Sequence, residues 1–362
     1  MNIPPILLAD PSPCLRWQTL RHLLNLPDEY PEVQEVSALR LQDPLLTELL
    51  ALQEADGSWR TGPFAYGAAG GDPILTTAFA LARLGFLGFD GSHPAVNRAA
   101  EFLFANQQAD GSWPLQSAYQ AEDEAVMPHR NEPRPDREGY AMMPLQTAFP
   151  LRGLAYCSYA ADPRAERAYD WLLAQRLPDG AWPTGIARGG VYGYVAGYRR
   201  LAHSRWGCRS NTTGALVCFS LHPQRSHSPE ARRALDLLLG RETRELHAMG
   251  CEVARLLGAE PIHGFITYFA RFDLGLILSL CARLGATMED ERVAGLVEFI
   301  LQQRGPFGLW EYAARPQASR WLTLDLLRSL AVLQSEPAEA GLSPLLEPRT
   351  PFQPYPRRKK RF

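Results

Sequence analysis

The chain has almost no net charge. Its 362 residues carry 37 Lys and Arg against 39 Asp and Glu, a formal −2 at pH 7. That balance supplies no basic field for nucleic acid. The six cysteines (Cys14, Cys157, Cys208, Cys218, Cys251 and Cys281) include no CxxC pair. Scattered cysteines predict a reduced, cytoplasmic protein that uses them as small core residues. Long hydrophobic runs are missing too. The longest, Leu274 to Ala282, is far too short to cross a bilayer and sits among Arg271, Asp273 and Arg283. Residues 1–13 hold only the short apolar run Ile6 to Ala9 and no basic stretch, so no secretory signal is expected there. No segment alternates with period two, so little sheet is expected. Hydrophobic residues are 46% and charged residues 21%, enough for a large core and too apolar for a disordered chain.

What is abundant is punctuation: 30 Pro, 29 Gly and 8 Trp. Half of the tryptophans lie in one recurring phrase. Gln53-Glu-Ala-Asp-Gly57-Ser-Trp59 returns as Gln107-Gln-Ala-Asp-Gly111-Ser-Trp113. Two versions read as longer loops, Gln175 to Trp182 and Gln303 to Trp310. The spacing implies a period of about 63 residues, roughly six units in the chain, with one signature lost between Leu239 and Gly250. Each unit reads as two helices. Before the Gln lies an amphipathic helix, as in Ala95 to Phe104; after the Trp lies one apolar nearly all round, as in Ile74 to Leu87. Ser12-Pro13, Asp43-Pro44, Asp72-Pro73, Asp162-Pro163 and Ser228-Pro229 each place a capping side chain before a proline at the first helical position. His93-Pro94 is a looser version.

Six inner helices are predicted over 13–25, 73–88, 142–160, 210–221, 266–284 and 319–333. Outer helices are predicted over 37–54, 94–108, 163–176, 229–247 and 290–304, with a shorter one after Pro337. Arg16-Trp17-Gln-Thr19-Leu20 in the first inner helix matches Arg320-Trp321-Leu-Thr323-Leu324 in the last. Neighbouring positions in a closed ring explain that match better than the two ends of an open solenoid, which would need polar caps. The expected fold is all-α, a single (α/α)6 toroid over 1–346, with a Pro-rich basic tail over 347–362.

The phrase Gln-x3-Gly-x-Trp, with its x4 variant, resembles the repeat motif of terpenoid cyclases such as squalene-hopene cyclase. That superfamily includes the protein prenyltransferase β-subunits, and the resemblance implies their α/α toroid. It also implies a bracing role for Gln53, Trp59, Gln107, Trp113, Gln175, Trp182, Gln303 and Trp310. The family's chemical signatures are absent: the chain has no DxDD, no DDxxD and no Asp-x-Cys. Nor does it have GxSxG, GxGxxG or a P-loop phrase. The acidic run Glu122-Asp123-Glu124 reads as a solvated loop.

Two acids remain. Asp273 and Asp325 fall in the N-terminal parts of the fifth and sixth inner helices, in register with Thr77, Thr147 and Thr213. A buried Asp facing an apolar cavity has a raised pKa and can act as a general acid, although pairing with Arg271, Arg320, Arg328 or a helix end explains it equally. Arg16, Arg209, Arg271 and Arg320 at helix starts are candidates to hold an anionic head group. The aromatics Trp17, Phe79, Phe149, Tyr156, Phe219, Tyr268, Phe272 and Trp321 are candidates to line a cavity and stabilise a carbocation, or are plain core. His247 and Cys251, four apart on an expected helix, with His263 beyond, are a weak zinc candidate. No cofactor is expected. The tail Arg357 to Arg361 is a candidate contact for anionic lipid and a peripheral membrane site.

The leading expectation is therefore a terpenoid cyclase-like protein acting on an isoprenoid in a central apolar cavity. Asp273 and Asp325 would be its acids, and Arg16, Trp17, Arg271, Tyr268, Phe272, Arg320 and Trp321 its substrate contacts. The alternatives are a non-catalytic toroid that binds a lipid or a partner protein, and a zinc-dependent prenyltransferase-like enzyme.

Overall fold

Prolines start most of the helices. The computed structural model describes residues 3–65, 72–113, 143–184, 195, 197–240, 247–262 and 267–335. The helices within them are α1 (Pro13–His22), α2 (Pro31–Leu39), α3 (Pro44–Leu50), α4 (Pro73–Phe86), α5 (Pro94–Ala105), α6 (Pro144–Tyr156), α7 (Pro163–Ala174), α8 (Arg209–Ser220) and α9 (Pro229–Leu239). Then come strand β1 (His247–Ala248), α10 (Cys251–Leu256), strand β2 (Phe272–Asp273), α11 (Leu274–Arg283), α12 (Glu291–Gln302) and α13 (Ser319–Gln334). All five expected capped starts are present. Ser12, Asp43, Asp72, Asp162 and Ser228 each accept a backbone N–H of the first turn, and His93 does so for Ala95. Proline at the first position gives up an N–H that had no partner and pre-sets φ.

The inner helices α1, α4, α6, α8, α11 and α13 form a closed ring. α4 packs on α6, α6 on α8, α8 on α11, α11 on α13 and α13 on α1. Gln18 of α1 closes the circle: its Nε2 donates to the Phe86 carbonyl at the end of α4, and its Oε1 accepts from Arg328 of α13 at 2.9 Å. α6 and α8 are buried along nearly their whole length, whereas outer helices such as α5 and α7 bury one stripe. That division is the one their apolar patterns dictate.

The four tryptophans of the repeat are fully buried. Each indole Nε1 donates to the carbonyl ten residues earlier: Leu49 at 2.8 Å, and Leu103, Leu172 and Ile300 at 2.7 Å. Each backbone N–H donates to a threonine hydroxyl on the next inner helix: Thr77, Thr147, Thr212 and Thr323. The threonine level therefore runs through Thr212 and Thr323 and serves the tryptophans. The expected register is corrected by one residue at Thr213 and by two at Asp325, while Asp273 accepts the Gly250 N–H much as the threonines accept the tryptophan N–H groups.

Gln53 Nε2 bridges the Gly57 carbonyl (3.0 Å) and the Ala95 carbonyl at the start of α5 (2.8 Å). Gln107 repeats this with Gly111 and Arg164. In the other two copies the four-residue step to glycine starts from arginine. Arg176 Nε donates to Gly180 and Arg304 Nε to Gly308. These loops are not longer. Arg176 and Arg304 stand where the glutamine is expected, and Gln175 and Gln303 lie one position earlier. The glycines all have positive φ, and a Cβ on Gly111 would lie 2.4 Å from the Arg167 carbonyl oxygen. No other residue fits there.

Three helix expectations are overturned. The segment 37–54 is not one helix: α2 ends at Leu39, and Pro44 forces a new start. The outer helix expected to 247 ends at Leu239, and His247 lies in a strand. The inner helix expected from 266 begins at Leu274, because Phe272 and Asp273 pair with β1 in parallel, His247 opposite Phe272 and Ala248 opposite Asp273. The segments after Pro337 and through the basic tail, like Glu122 to Glu124, lie outside the described residues.

Candidate functional site

The hairpin that lost its tryptophan signature places a short helix inside the ring. α10 touches α4 and α13, which are not neighbours in the circle, and its Glu252 forms an ion pair with Arg152 of α6. A segment that reaches three separate positions of a closed ring lies at its centre. Gly250, at φ 88°, turns the chain into α10, and Gly258, at φ 69°, turns it out again. Asp273 holds the entry. Its Oδ1 accepts the N–H of Gly250 (2.8 Å) and of Gly275 (3.1 Å), and its Oδ2 accepts the N–H of Glu252 (2.7 Å). One carboxylate thus caps both α10 and α11.

Arg152 is 1% exposed and sits in a box of rings. Its guanidinium carbon is 5.3–5.8 Å from the centroids of Phe79, Phe149, Tyr268 and Phe269. Arg255 of α10 also lies over Tyr268, at 4.4 Å, and donates to the Tyr268 carbonyl at 2.6 Å. Burial alone would lower the Arg152 pKa, but Tyr268 and Glu252 outweigh it and hold the guanidinium charged. Burial and the Glu252 charge push the Tyr268 hydroxyl up to about 12. The aromatic cage expected to receive a substrate cation therefore already holds one of the protein's own. Arg152 Nε and Nη2 and Glu252 Oε2 are buried without hydrogen-bond partners.

Beside α10 lies a cavity of about 10 Å³, room for about one water molecule. Phe86, Tyr156, Leu256 and Leu276 give it apolar walls, while Asp273, Asp325, Glu252 and Arg283 give it charge. Both sequence-predicted acids meet here, but they differ in state. Burial raises the Asp273 pKa, while three backbone N–H groups pull it back. Its oxygens accept three backbone N–H groups, and those bonds favour the charged carboxylate. Asp325 is half-buried by surface area because it faces the cavity, yet the surrounding atoms strip its carboxyl of water and raise its pKa. Arg283 and Arg328 oppose that rise; Asp273 and Glu252 add to it. Among the described residues, no salt bridge reaches the Asp325 carboxylate. Arg283 lies over the Tyr156 ring at 5.4 Å.

The other predicted contacts disperse. Arg320 is paired with Asp10 at 2.7 Å. Arg209 donates to the Ala270 carbonyl, and Arg271 is exposed. Arg16 is half-buried with an unpartnered Nε. Trp17 stacks under Arg40 (3.8 Å) in a satellite cluster with Leu20, Val33 and Val36. Phe219 packs outward on Trp182 and Tyr169. Trp321 packs on Phe86, a wall of the cavity, at 5.5 Å, while Phe272 is buried in the two-residue strand near Arg209. Of the predicted aromatics, Phe79, Phe149 and Tyr268 join the central box. Sequence reasoning missed Glu252, Arg152, Arg283 and Arg255. A lone charge in an otherwise apolar inner helix was the available signal for Arg152 and Arg283.

His247 and Cys251 do not share a helix face. His247 is in β1, with its ring edge-on to Phe299 at 4.9 Å, and Cys251 starts α10. His263 lies outside the described residues. Among the described residues no group of three His, Cys, Asp or Glu is placed to hold a metal ion, and no helix is long and apolar enough to cross a membrane.

Residues 31–198 match the family model of the squalene-hopene cyclase C-terminal domain. A probable squalene–hopene cyclase of Sinorhizobium fredii (strain NBRC 101917 / NGR234) is 30% identical over 133 residues, 36% of this chain. The chain spans only 18% of that relative's length. A type II terpene cyclase from Scytonema, solved with geranylgeranyl dihydroxybenzoate as substrate, aligns over 81% of this chain and 72% of its own at 18% identity and a TM-score of 0.46. A protein from Actinoplanes aligns over 88% and 89% at 16% identity and a TM-score of 0.43. Likenesses that weak carry neither fold nor reaction across, so the ring rests on this chain's own contacts. On these matches, residues 31–198 are similar to the squalene-hopene cyclase C-terminal domain.

Proposed function

We propose that the protein is a terpenoid cyclase-like enzyme that takes an isoprenoid into the centre of its ring, with Asp325 as the general acid. The observation that carries this reading is the Asp325 carboxyl. It faces a cavity walled by Phe86, Tyr156 and Leu276, with no salt bridge among the described residues and a pKa raised by burial. A neutral carboxyl in such a wall can donate its proton to an alkene, because loss of water disfavours the charged form and aromatic faces favour the cation produced. Asp273 is a positioning residue: it caps the two helices that shape the cavity wall. An acid at Asp325 would stand in for the missing DxDD.

The filled ring favours a second reading. Arg152 and α10 lie inside the ring, and among the described residues the cavity beside α10 has room for about one water. A ring that stays filled is a non-catalytic toroid that binds its lipid or protein partner on an outer surface. Incubation of the full chain with a panel of isoprenoids and prenyl diphosphates separates the two. The enzyme reading expects a cyclised product that is lost in Asp325→Asn while the fold is kept. Full activity in Asp325→Asn, or no turnover across the panel, overturns it.

A further inference from the structure

We propose that the start of α8 is a binding site for an oxyanion, a phosphate-type group held between the first turn of α6 and the segment that leads into α11. The first turn of α8 is Arg209-Ser210-Asn211, and it is rich in donors. Its N-cap, Cys208, supplies no side-chain bond, whereas Ser12, Asp72 and Asp273 cap α1, α4 and α11. Among the described residues the backbone N–H groups of Arg209, Ser210 and Asn211 meet no acceptor; Thr212 is the first that does, on the Cys208 carbonyl. The side chains of the same turn lack acceptors too. Ser210 and Asn211 are fully buried and Arg209 is 5% exposed, yet Ser210 Oγ, Asn211 Nδ2 and Arg209 Nη2 have no partner. Thr184 Oγ1 is a fourth such atom, brought alongside by the pairing of Pro183 with Gly207. The buried atoms left over at Arg16, Arg40 and Arg83 are single Nε groups; at α8 the orphans gather on one helix start.

Their other bonds fix where these groups point. Asn211 Oδ1 accepts the Leu145 N–H of α6 at 3.0 Å, and Arg209 Nη1 donates to the Ala270 carbonyl at 3.2 Å. A second buried guanidinium, that of Arg199, donates to Cys208 Sγ at 3.4 Å and adds positive charge at the N-cap. The acids on the flanking segments are already engaged: Asp179 by Ala181 and Ser204, Asp273 by the caps of α10 and α11. Arg200, whose backbone pairs with Cys208, and Arg271, beside Ala270, are exposed and extend the positive field to the surface. Buried donors without acceptors are costly, and a helix N-terminus with a guanidinium favours a ligand that brings several acceptor oxygens and negative charge.

Calorimetric titration of the full chain with inorganic pyrophosphate, geranylgeranyl diphosphate and geranylgeraniol tests the site. The proposed isoprenoid function enters only in the choice of the two prenyl probes. Pyrophosphate is expected to bind saturably at one site per chain. Asn211→Asp keeps the acceptor for Leu145 and sets a carboxylate among the donors, in the ligand's place. Its urea midpoint should be no lower than that of wild type, and its pyrophosphate affinity at least about tenfold weaker. Ser210→Ala removes one donor and should weaken binding by about tenfold. Neither variant should change the affinity for geranylgeraniol, which has no anionic group. Tighter binding of geranylgeranyl diphosphate than of pyrophosphate assigns the anion to a prenyl head group; equal affinity assigns it to free phosphate compounds, and both results support the site. No saturable binding of either anion, or anion affinity unchanged in both variants, overturns it and leaves the donors to ordered water; so does an equal loss of geranylgeraniol. Its failure is distinguishable from failure of the acid: anion binding without turnover removes only the chemistry at Asp325, and turnover without anion binding removes only the site at α8.

Discussion

Arg304 shows how a single side chain can keep a motif's function while hiding its spelling. It donates Nε to the Gly308 carbonyl at 2.9 Å, the same bond that Gln53 and Gln107 make to Gly57 and Gly111. Its ring contact on Trp310, at 5.1 Å, is an addition glutamine lacks. Arg304→Gln should therefore keep stability within about 0.5 kcal/mol, whereas Arg304→Ala should lose about 1 kcal/mol, read as a shift in urea midpoint at constant slope. Asp325 makes a second claim at this scale. A carboxyl whose folded pKa is raised favours folding only while it is protonated. Its contribution is intact below the ordinary Asp value of 3.8 and is lost as pH climbs from there through the folded pKa. Wild type should thus lose stability relative to Asp325→Asn across that interval, and the difference between their unfolding free energies against pH should level off above it. A flat difference would mean that the carboxyl is ordinarily solvated.

The pairing of α4 with α6 is the tightest joint between elements. A Cβ on Gly153 would sit 2.6 Å from the Ala78 carbonyl, and one on Gly85 would sit 2.5–2.6 Å from the backbone and Cβ of Tyr156. Each helix therefore presents a glycine to the other's backbone. Gly153→Ala forces a backbone shift rather than a rotamer change and should destabilise by about 1–3 kcal/mol, measured by thermal or urea unfolding. Element positions were largely legible in the sequence because helix starts are local events: Ser12, Asp43, Asp72, Asp162 and Ser228 cap the helices that their prolines begin. The misreadings came where tertiary pairing overrides local pattern. Phe272 and Asp273 sit in an apolar run that reads as helix, but a two-residue ladder with His247 and Ala248 holds them extended. Helical spacing put His247 and Cys251 on one face, and Gly250 breaks that helix with a positive φ.

At the scale of the whole molecule, closure was foreshadowed by the match between the first and last inner helices and is realised through Gln18, which bonds to both ring neighbours. The candidate site was only half legible. The two acids do converge on one cavity, but the arginines do not: Arg320, Arg209 and Arg271 take separate partners or solvent. The reason is physical. Apolar periodicity fixes which face of a helix looks inward, not what else enters the ring, and α10 arrives from a hairpin whose repeat signature had disappeared. Its arrival also changes the meaning of the aromatics, since Phe79, Phe149 and Tyr268 now enclose Arg152. The central claim is that an isoprenoid occupies the interior of this ring. Photocrosslinking with a diazirine analogue of geranylgeraniol, mapped by peptide sequencing, tests it most directly. Labels on Phe86, Leu256 and Leu276, competed by geranylgeraniol, are the expected result; labels confined to exposed apolar residues such as Phe307 and Leu41 would contradict it.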